Sequence, residues 1–257
     1  MAATPNRSVL ALGGLPLVRH CRAPLRAAFL ARPNRFVAEV ELPGGEVVLA
    51  HLPNPGRLTG TLSPRCALLL DGPVEGRRCP WTVVAARERG AWVGTVTTYA
   101  NTLFPVLWRG GLFPELTGRT LAAEVTHGPS RFDFALDGAF VEVKSATLAP
   151  GRIARFPDAV TARGARHCEE LSRLARRGVP VAIVFVAQRG DVEALEPEDA
   201  VDPVFGAALR LAARRGVRVL ACAVTMTPRG ATRAWRIPVR LDGPTSPVRA
   251  RRPLRSP

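Results

Sequence analysis

The stretch from Ser130 to Ser145 leaves the chain little choice of local structure. Two runs of alternating apolar and polar residues flank Asp137-Gly138. That dipeptide favours a two-residue type I′ turn, in which both central residues take positive φ. The turn sets a register in which Leu136 faces Ala139, Phe134 faces Val141 and Asp133 faces Glu142. Residues two apart on a strand share a face. Phe132, Phe134, Leu136, Ala139, Val141 and Val143 then form an apolar face, and Arg131, Asp133, Glu142 and Lys144 a polar one.

The apolar face belongs in a core, and the polar face has its own chemistry. Directly opposed residues have Cβ atoms roughly 4.5–5.5 Å apart, where like charges are unfavourable. Two such carboxylates repel, share a proton, or hold a cation. A hard cation such as Mg²⁺ or Mn²⁺ takes oxygen ligands, often one or two carboxylates plus water and substrate phosphate. Lys144 lies one pleat from Glu142 on the same face. Carboxylates holding the ion and an ammonium orienting water or offsetting charge suit attack on a phosphodiester. The alternative is a solvent-facing strand with an ion pair, which contributes little. Lys144 is the only lysine among 36 basic residues. A composition this biased toward arginine keeps lysine mainly where a guanidinium does not serve. The catalytic candidates are Asp133, Glu142 and Lys144, with Asp133 and Glu142 as metal ligands.

Asp133 followed by Glu142-Val143-Lys144 resembles the Asp…Glu-x-Lys signature of the PD-(D/E)XK nuclease superfamily. Longer pieces are similar to the sugar fermentation stimulation protein A family. They are Asn34-Arg35-Phe36, His51 with Pro53-Asn54 and Gly56, Ser130 to Phe134, Val141 to Ser145, Phe156 to Thr161, and Arg163-Gly164 with His167. The resemblance implies an α/β fold (α+β overall): an N-terminal OB-like β-barrel followed by a restriction-endonuclease-like PD-(D/E)XK α/β domain. It also implies DNA binding. In the family a helix after the barrel carries an acidic residue that often completes the metal site. The matching stretch here is Asn101 to Trp108, with Val106 at the expected glutamate and Pro105 expected to break or kink an interior turn. Glu115 and Glu124 are the nearest acids. They join Asp158 and Gln188 as candidate accessory residues.

A formal net charge of +15 favours polyanions, nucleic acid first and an anionic membrane surface second. Arg35, Arg57, Arg131, Arg163 and Arg166 are candidate phosphate contacts. Trp81 and Trp92 read as stacking platforms or, more simply, as core. Five scattered cysteines without a Cys-x-x-Cys argue against a disulfide framework and a structural zinc, and fit a reducing cytoplasm. No apolar run of roughly 18 residues predicts a membrane span. Residues 1–24 read as a disordered extension, 25–97 as the barrel, 98–239 as the nuclease-like domain and 240–257 as a basic disordered tail. Strands are expected from Phe36, Val47, Ala67, Trp81 and Ala91, a helix opening at Pro157-Asp158, a buried strand over 179–187, and a further helix and strand over 202–215 and 217–226. Two functions fit: a metal-dependent nuclease hydrolysing phosphodiesters of DNA or RNA, and a non-cleaving DNA-binding regulator of sugar (maltose-type) metabolism.

Overall fold

The fold is that of a computed structural model, which describes residues 9–11, 16–20, 23–128 and 130–242. Among these, the strands before the first helix are β1 (Val9–Ala11), β2 (Val18–Arg19), β3 (Leu25–Asn34), β4 (Val37–Glu41), β5 (Val47–His51), β6 (Ala67–Asp71), β7 (Trp81–Glu88) and β8 (Ala91–Gly94). Five of them form a barrel in the order β5-β4-β3-β6-β7. It closes where Ala50 and His51 pair in parallel with Trp81 and Thr82. Closure leaves these strands no free edge. Alternation in β4 sends Ala38 and Val40 inward onto Ala50, Leu68, Leu70 and Val83. Trp81 packs against this core and Trp92 lies in the neighbouring one, so neither is an open stacking platform.

β8 carries the chain out of the barrel. It pairs with β7 and, through Trp92 and Met226, with a strand of the second domain. That domain runs α1 (Tyr99–Arg109), β9 (Ala122–His127), β10 (Ser130–Leu136), β11 (Ala139–Ala146), β12 (Ile153–Phe156), α2 (Ala162–Arg176), β13 (Val181–Ala187), β14 (Ala194–Pro197), α3 (Pro203–Arg214), β15 (Arg218–Thr227) and β16 (Gly230–Ile237). Its sheet has the order β15-β13-β11-β10-β9, with β13 parallel to both β11 and β15. Every residue of β13 is buried. A parallel strand covered on both faces needs such an unbroken apolar run. Leu103, Phe104 and Leu107 of α1 cover one face; Leu171 of α2 and Phe205 and Leu209 of α3 cover the other.

Asp137 and Gly138 have φ of 46° and 92°, as a type I′ turn requires, and Phe134↔Val141 and Leu136↔Ala139 pair in the expected register. Several expectations are corrected. Phe132 does not join Phe134 on the apolar face. It packs in the opposite core, against the Phe140 ring at 5.0 Å. Pro105 does not end α1. It removes only the N–H that would bond the Asn101 carbonyl, and burial of the neighbouring apolar side chains keeps the helix going. The second helix starts at Ala162, not near Asp158. Thr161 caps it by accepting from the Gly164 N–H at 3.1 Å, which frees Asp158 for another contact. Within the expected N-terminal extension, β1 and β2 pair with β16, and Leu17 is buried. At the other end, the Arg240 N–H donates to the Leu195 carbonyl and Leu241 packs on the core. The remainder of both expected disordered segments, 1–8, 12–15, 21–22 and 243–257, lies outside the described residues.

Arg189 joins the two domains. Its side chain has no solvent exposure. It donates twice to Asp191 at 2.7 Å, once to Glu88 of the barrel at 2.8 Å and once to the Thr147 carbonyl at 2.8 Å. Arg89 extends the cluster to Asp191 and the Ala149 carbonyl. Breaking a buried pair by removing one partner leaves an uncompensated charge and costs about 3–5 kcal/mol. Arg189→Ala is therefore expected to lose that much in urea unfolding. Arg65→Ala, which removes an exposed, solvent-screened pair with Glu41 on the barrel surface, should leave the urea midpoint close to that of the parent.

Candidate functional site

The site forms where β10 parts from β11. Their recorded pairing stops at Phe134↔Val141. Two residues further along β11, the Val143 N–H donates to Asp133 Oδ2, at 2.7 Å. The aspartate side chain thus takes over a ladder bond and occupies the gap between the strands. β11 meanwhile stays paired with β13 from Phe140 to Ala146. Glu142 and Lys144 are therefore held on a continuous ladder.

Glu142 is 3% exposed. Its Oε1 accepts a short bond from Lys144 Nζ and lies 2.5 Å from His167 Nδ1 on α2. Its Oε2 is buried and has no partner among the described residues. Arg163, one turn before His167, donates from Nε to His167 Nε2 at 3.3 Å. An imidazole that accepts at Nε2 carries its hydrogen on Nδ1 and donates it to Glu142. Arg163 thus donates to His167 and His167 to Glu142, while Lys144 donates to the same Glu142 oxygen from its own side. This loads one carboxylate oxygen with donors and leaves the other bare.

The two carboxylates are tuned in opposite directions. Burial pushes Glu142 up, but the His167 hydrogen bond and the Lys144 charge outweigh it and hold the carboxyl below its ordinary value. Burial and the nearby Glu142 charge raise Asp133 above its own, against the bond from Val143. Environments that push paired acids apart mark functional sites more often than surfaces. Asn101 of α1 also hydrogen-bonds Asp133. The α1 residue that reaches the site is therefore Asn101 and not Val106, which packs against the core. Among the described residues, no three His, Cys, Asp or Glu side chains converge as a ready metal cage.

The accessory candidates lie elsewhere. Glu115 pairs with Arg236 at 2.8 Å, and Glu124 pairs with Arg131 on the outer strands β9 and β10. Gln188 follows Ala187 and so points to the face opposite Lys144. It donates to the Val96 carbonyl and Ser145 Oγ, both at 2.8 Å. Asp158 reaches the barrel and accepts from the Leu58 N–H at 3.2 Å. Of the arginines, Arg163 belongs to the site through His167, Arg166 is exposed on α2, and Arg35 and Arg57 are exposed on the barrel. Arg32 was not read from the sequence. It donates to the carbonyls of Arg35, Asn54, Gly56 and Arg57 and shapes the loop that faces Asp158. Only tertiary contact reveals it, because its four acceptors are backbone groups.

An OB barrel followed by a restriction-endonuclease-like α/β domain, with Asp…Glu-x-Lys at a parted strand pair, defines a class of nuclease-like two-domain proteins. The comparisons narrow it. Residues 98–230 match the sugar fermentation stimulation protein RE domain, and residues 30–95 match the SfsA N-terminal OB domain. The chain belongs to the sugar fermentation stimulation protein family. A sugar fermentation stimulation protein homolog of Symbiobacterium thermophilum is 40% identical over 238 residues, covering 84% of this chain and 95% of the relative. One from Geobacter sulfurreducens is 41% identical over 218 residues, covering 82% and 93%. The solved structure of Pyrococcus furiosus SfsA in complex with Ca²⁺ is 28% identical, with a TM-score of 0.78, covering 88% of this chain and all of that one.

The tuning is measurable. Glu142 is depressed, so its contribution to stability is present above the unfolded value of about 4.3 and is lost as pH falls through the lower folded value. His167→Ala removes one of the two donors that lower it. In carboxyl ¹³C titrations the Glu142 resonance should shift to a higher midpoint in that variant. An unchanged midpoint would mean that Lys144 alone sets it.

Proposed function

We propose that the chain is a nucleic-acid-binding protein with a Mg²⁺- or Mn²⁺-dependent phosphodiesterase site at Asp133, Glu142 and Lys144. The observation that carries this reading is the bare Oε2 of Glu142, buried beside a second carboxylate. A buried acceptor left without a partner costs about 1–3 kcal/mol, more when it is charged. The donor set fits a hard cation, because Asp133 and Glu142 offer carboxylate oxygens and no soft ligand intervenes. The Pyrococcus furiosus relative was solved in complex with Ca²⁺, another hard cation that takes oxygen ligands. When bound, such an ion polarises a phosphoryl oxygen and makes water a nucleophile near neutral pH.

The chain's own residues supply the rest. Asp133 and Glu142 would hold the ion. His167 fixes Glu142 through Oε1 and leaves Oε2 without a donor. Lys144, with its side chain 16% exposed, gives one hydrogen to Glu142 and keeps others to orient a water or offset charge on the phosphate. The exposed arginines and the net charge of +15 draw in the polyanion.

A second reading, a binding protein that does not cleave, is favoured by Asn101. The helix residue at Asp133 is an amide, so the site has two carboxylates and not three. Labelled DNA and RNA incubated with Mg²⁺, with Mn²⁺ or with chelator separate the two. The nuclease reading expects cleavage that the chelator abolishes and that falls at least about 100-fold in Asp133→Asn and Glu142→Gln. It expects Lys144→Arg to bind as the parent does and to lose most cleavage, because a guanidinium pairs with both carboxylates and competes with the ion. Binding without cleavage under every condition would leave the second reading.

Nucleic-acid affinity should also fall linearly with salt on logarithmic axes, at about 0.7–0.9 per phosphate contacted. A flat dependence would remove phosphate-dominated binding from either reading.

A further inference from the structure

The two domains meet around a polar cleft of about 280 Å³ that the proposed metal site does not use. One wall is the barrel loop Asn54 to Gly56, and the opposite wall is the segment from Phe156 to Thr161 that leads into α2. Thr97, at the junction of the domains, and Ser145 and Thr147, at the end of β11, also line it. Crevices beyond the carboxyl ends of parallel strands are where α/β sheets commonly bind ligands.

The cleft is built. Arg32 pulls the barrel loop into shape through four carbonyls. The Asn54 side chain spans from the Gly56 N–H to the Thr95 carbonyl. Asp158 ties the far wall to the barrel through the Leu58 N–H. At Gly56 a Cβ would overlap the Asp158 carboxylate where it now sits, so glycine there lets that carboxylate reach the Leu58 N–H.

The lining has three kinds of chemistry. The hydroxyl residues Thr97, Ser145 and Thr161 and the carboxylate of Asp158 all line it. Pro55 and Val160 give an apolar rim, Val160 being 71% exposed. Arg35 lines the cleft too, and its exposed guanidinium has no ion-pair partner among the described residues. An apolar rim for a flat ring, acceptors for its edge and a cation for a phosphate describe one nucleotide. A base inside a duplex offers neither its faces nor its pairing edge. The cleft is lined from chain segments next to those of the metal site. Ser145 follows Lys144, and Thr97 lies one turn before Asn101, which bonds Asp133.

We propose that this cleft receives the base of an unpaired nucleotide, so that the chain engages single-stranded rather than duplex nucleic acid. The proposal rests on the reading of the chain as a nucleic-acid-binding protein. It also names a preference. A carboxylate accepts from the amino group of cytosine and is repelled by the carbonyl that thymine presents at the same place.

The test is fluorescence anisotropy in chelator, where nothing is cleaved. The probes are a mixed-sequence single strand, its duplex, and oligo(dC) and oligo(dT). The parent should bind the single strand several-fold more tightly than the duplex, and oligo(dC) roughly fivefold or more above oligo(dT), the low end for one correctly read base edge. Ala159→Trp fills the cleft and should remove the single-strand advantage. Asp158→Asn keeps an acceptor for Leu58 and adds a donor, so it should narrow or reverse the order of oligo(dC) and oligo(dT). Thermal unfolding checks that both variants fold. If Ala159→Trp does not fold, the Asp158→Asn order decides alone. Equal binding of single strand and duplex by the parent, or variants that bind as the parent does, would overturn the cleft. Cleavage by a protein with that outcome would leave the phosphodiesterase site standing. Cleft-dependent single-strand binding without cleavage would do the reverse.

Discussion

A guanidinium with no solvent exposure holds this molecule in one piece. Arg189 lies between Glu88 of the barrel and Asp191 and Thr147 of the α/β domain. Arg189 is wholly out of water, and its charge is tolerable only because Glu88 and Asp191 are in place. That dependence fixes how the barrel sits on the sheet. The Arg32-shaped loop faces Asp158 across the interdomain cleft for the same reason. Thr147, whose carbonyl Arg189 holds, and Asp158, which accepts from the Leu58 N–H, both line the cleft. An Arg-to-Lys exchange at 189 would not reproduce this, because one ammonium lacks the planar fork that meets Asp191 with two parallel bonds.

The site depends on a local failure of regular structure. Had β10 and β11 stayed paired past Phe134, Asp133 would be a strand residue opposite a glutamate, with ordinary cross-strand repulsion. Parting the strands lets the Asp133 carboxylate accept from the Val143 N–H and meet Asn101 from the helix side. The two acids then occupy different environments. Glu142 is kept charged by His167 and Lys144, while burial and its neighbour raise Asp133.

Pattern carried the reading where a rule of short range decides the outcome. The Asp137-Gly138 turn, the register beside it and the all-apolar β13 rest on φ preference and side-chain alternation, and both were legible. The candidate trio was legible for a compositional reason, a single lysine two residues from a glutamate. Pattern failed where a contact from far along the chain decides. Pro105 looks like a helix breaker, yet burial of Leu103, Phe104 and Leu107 outweighs one lost backbone bond. Asp158 looks like a helix-opening acid, yet Leu58, a hundred residues away in the chain, claims it. Val9–Ala11 looks like part of an unstructured lead-in, yet β16 offers it an open edge.

By itself the sequence determined the hairpin, the order of barrel and α/β domain, and the residue types at the site, because each follows from neighbours a few positions apart. Tertiary structure alone decided that His167 loads one oxygen of Glu142 and leaves the other bare, that Asn101 is the helix residue at Asp133, and that Arg189 joins the domains. Those outcomes depend on distances between elements remote in the chain. Such distances are set by the packing of α1 and α2 against opposite faces of one sheet, which no local pattern encodes.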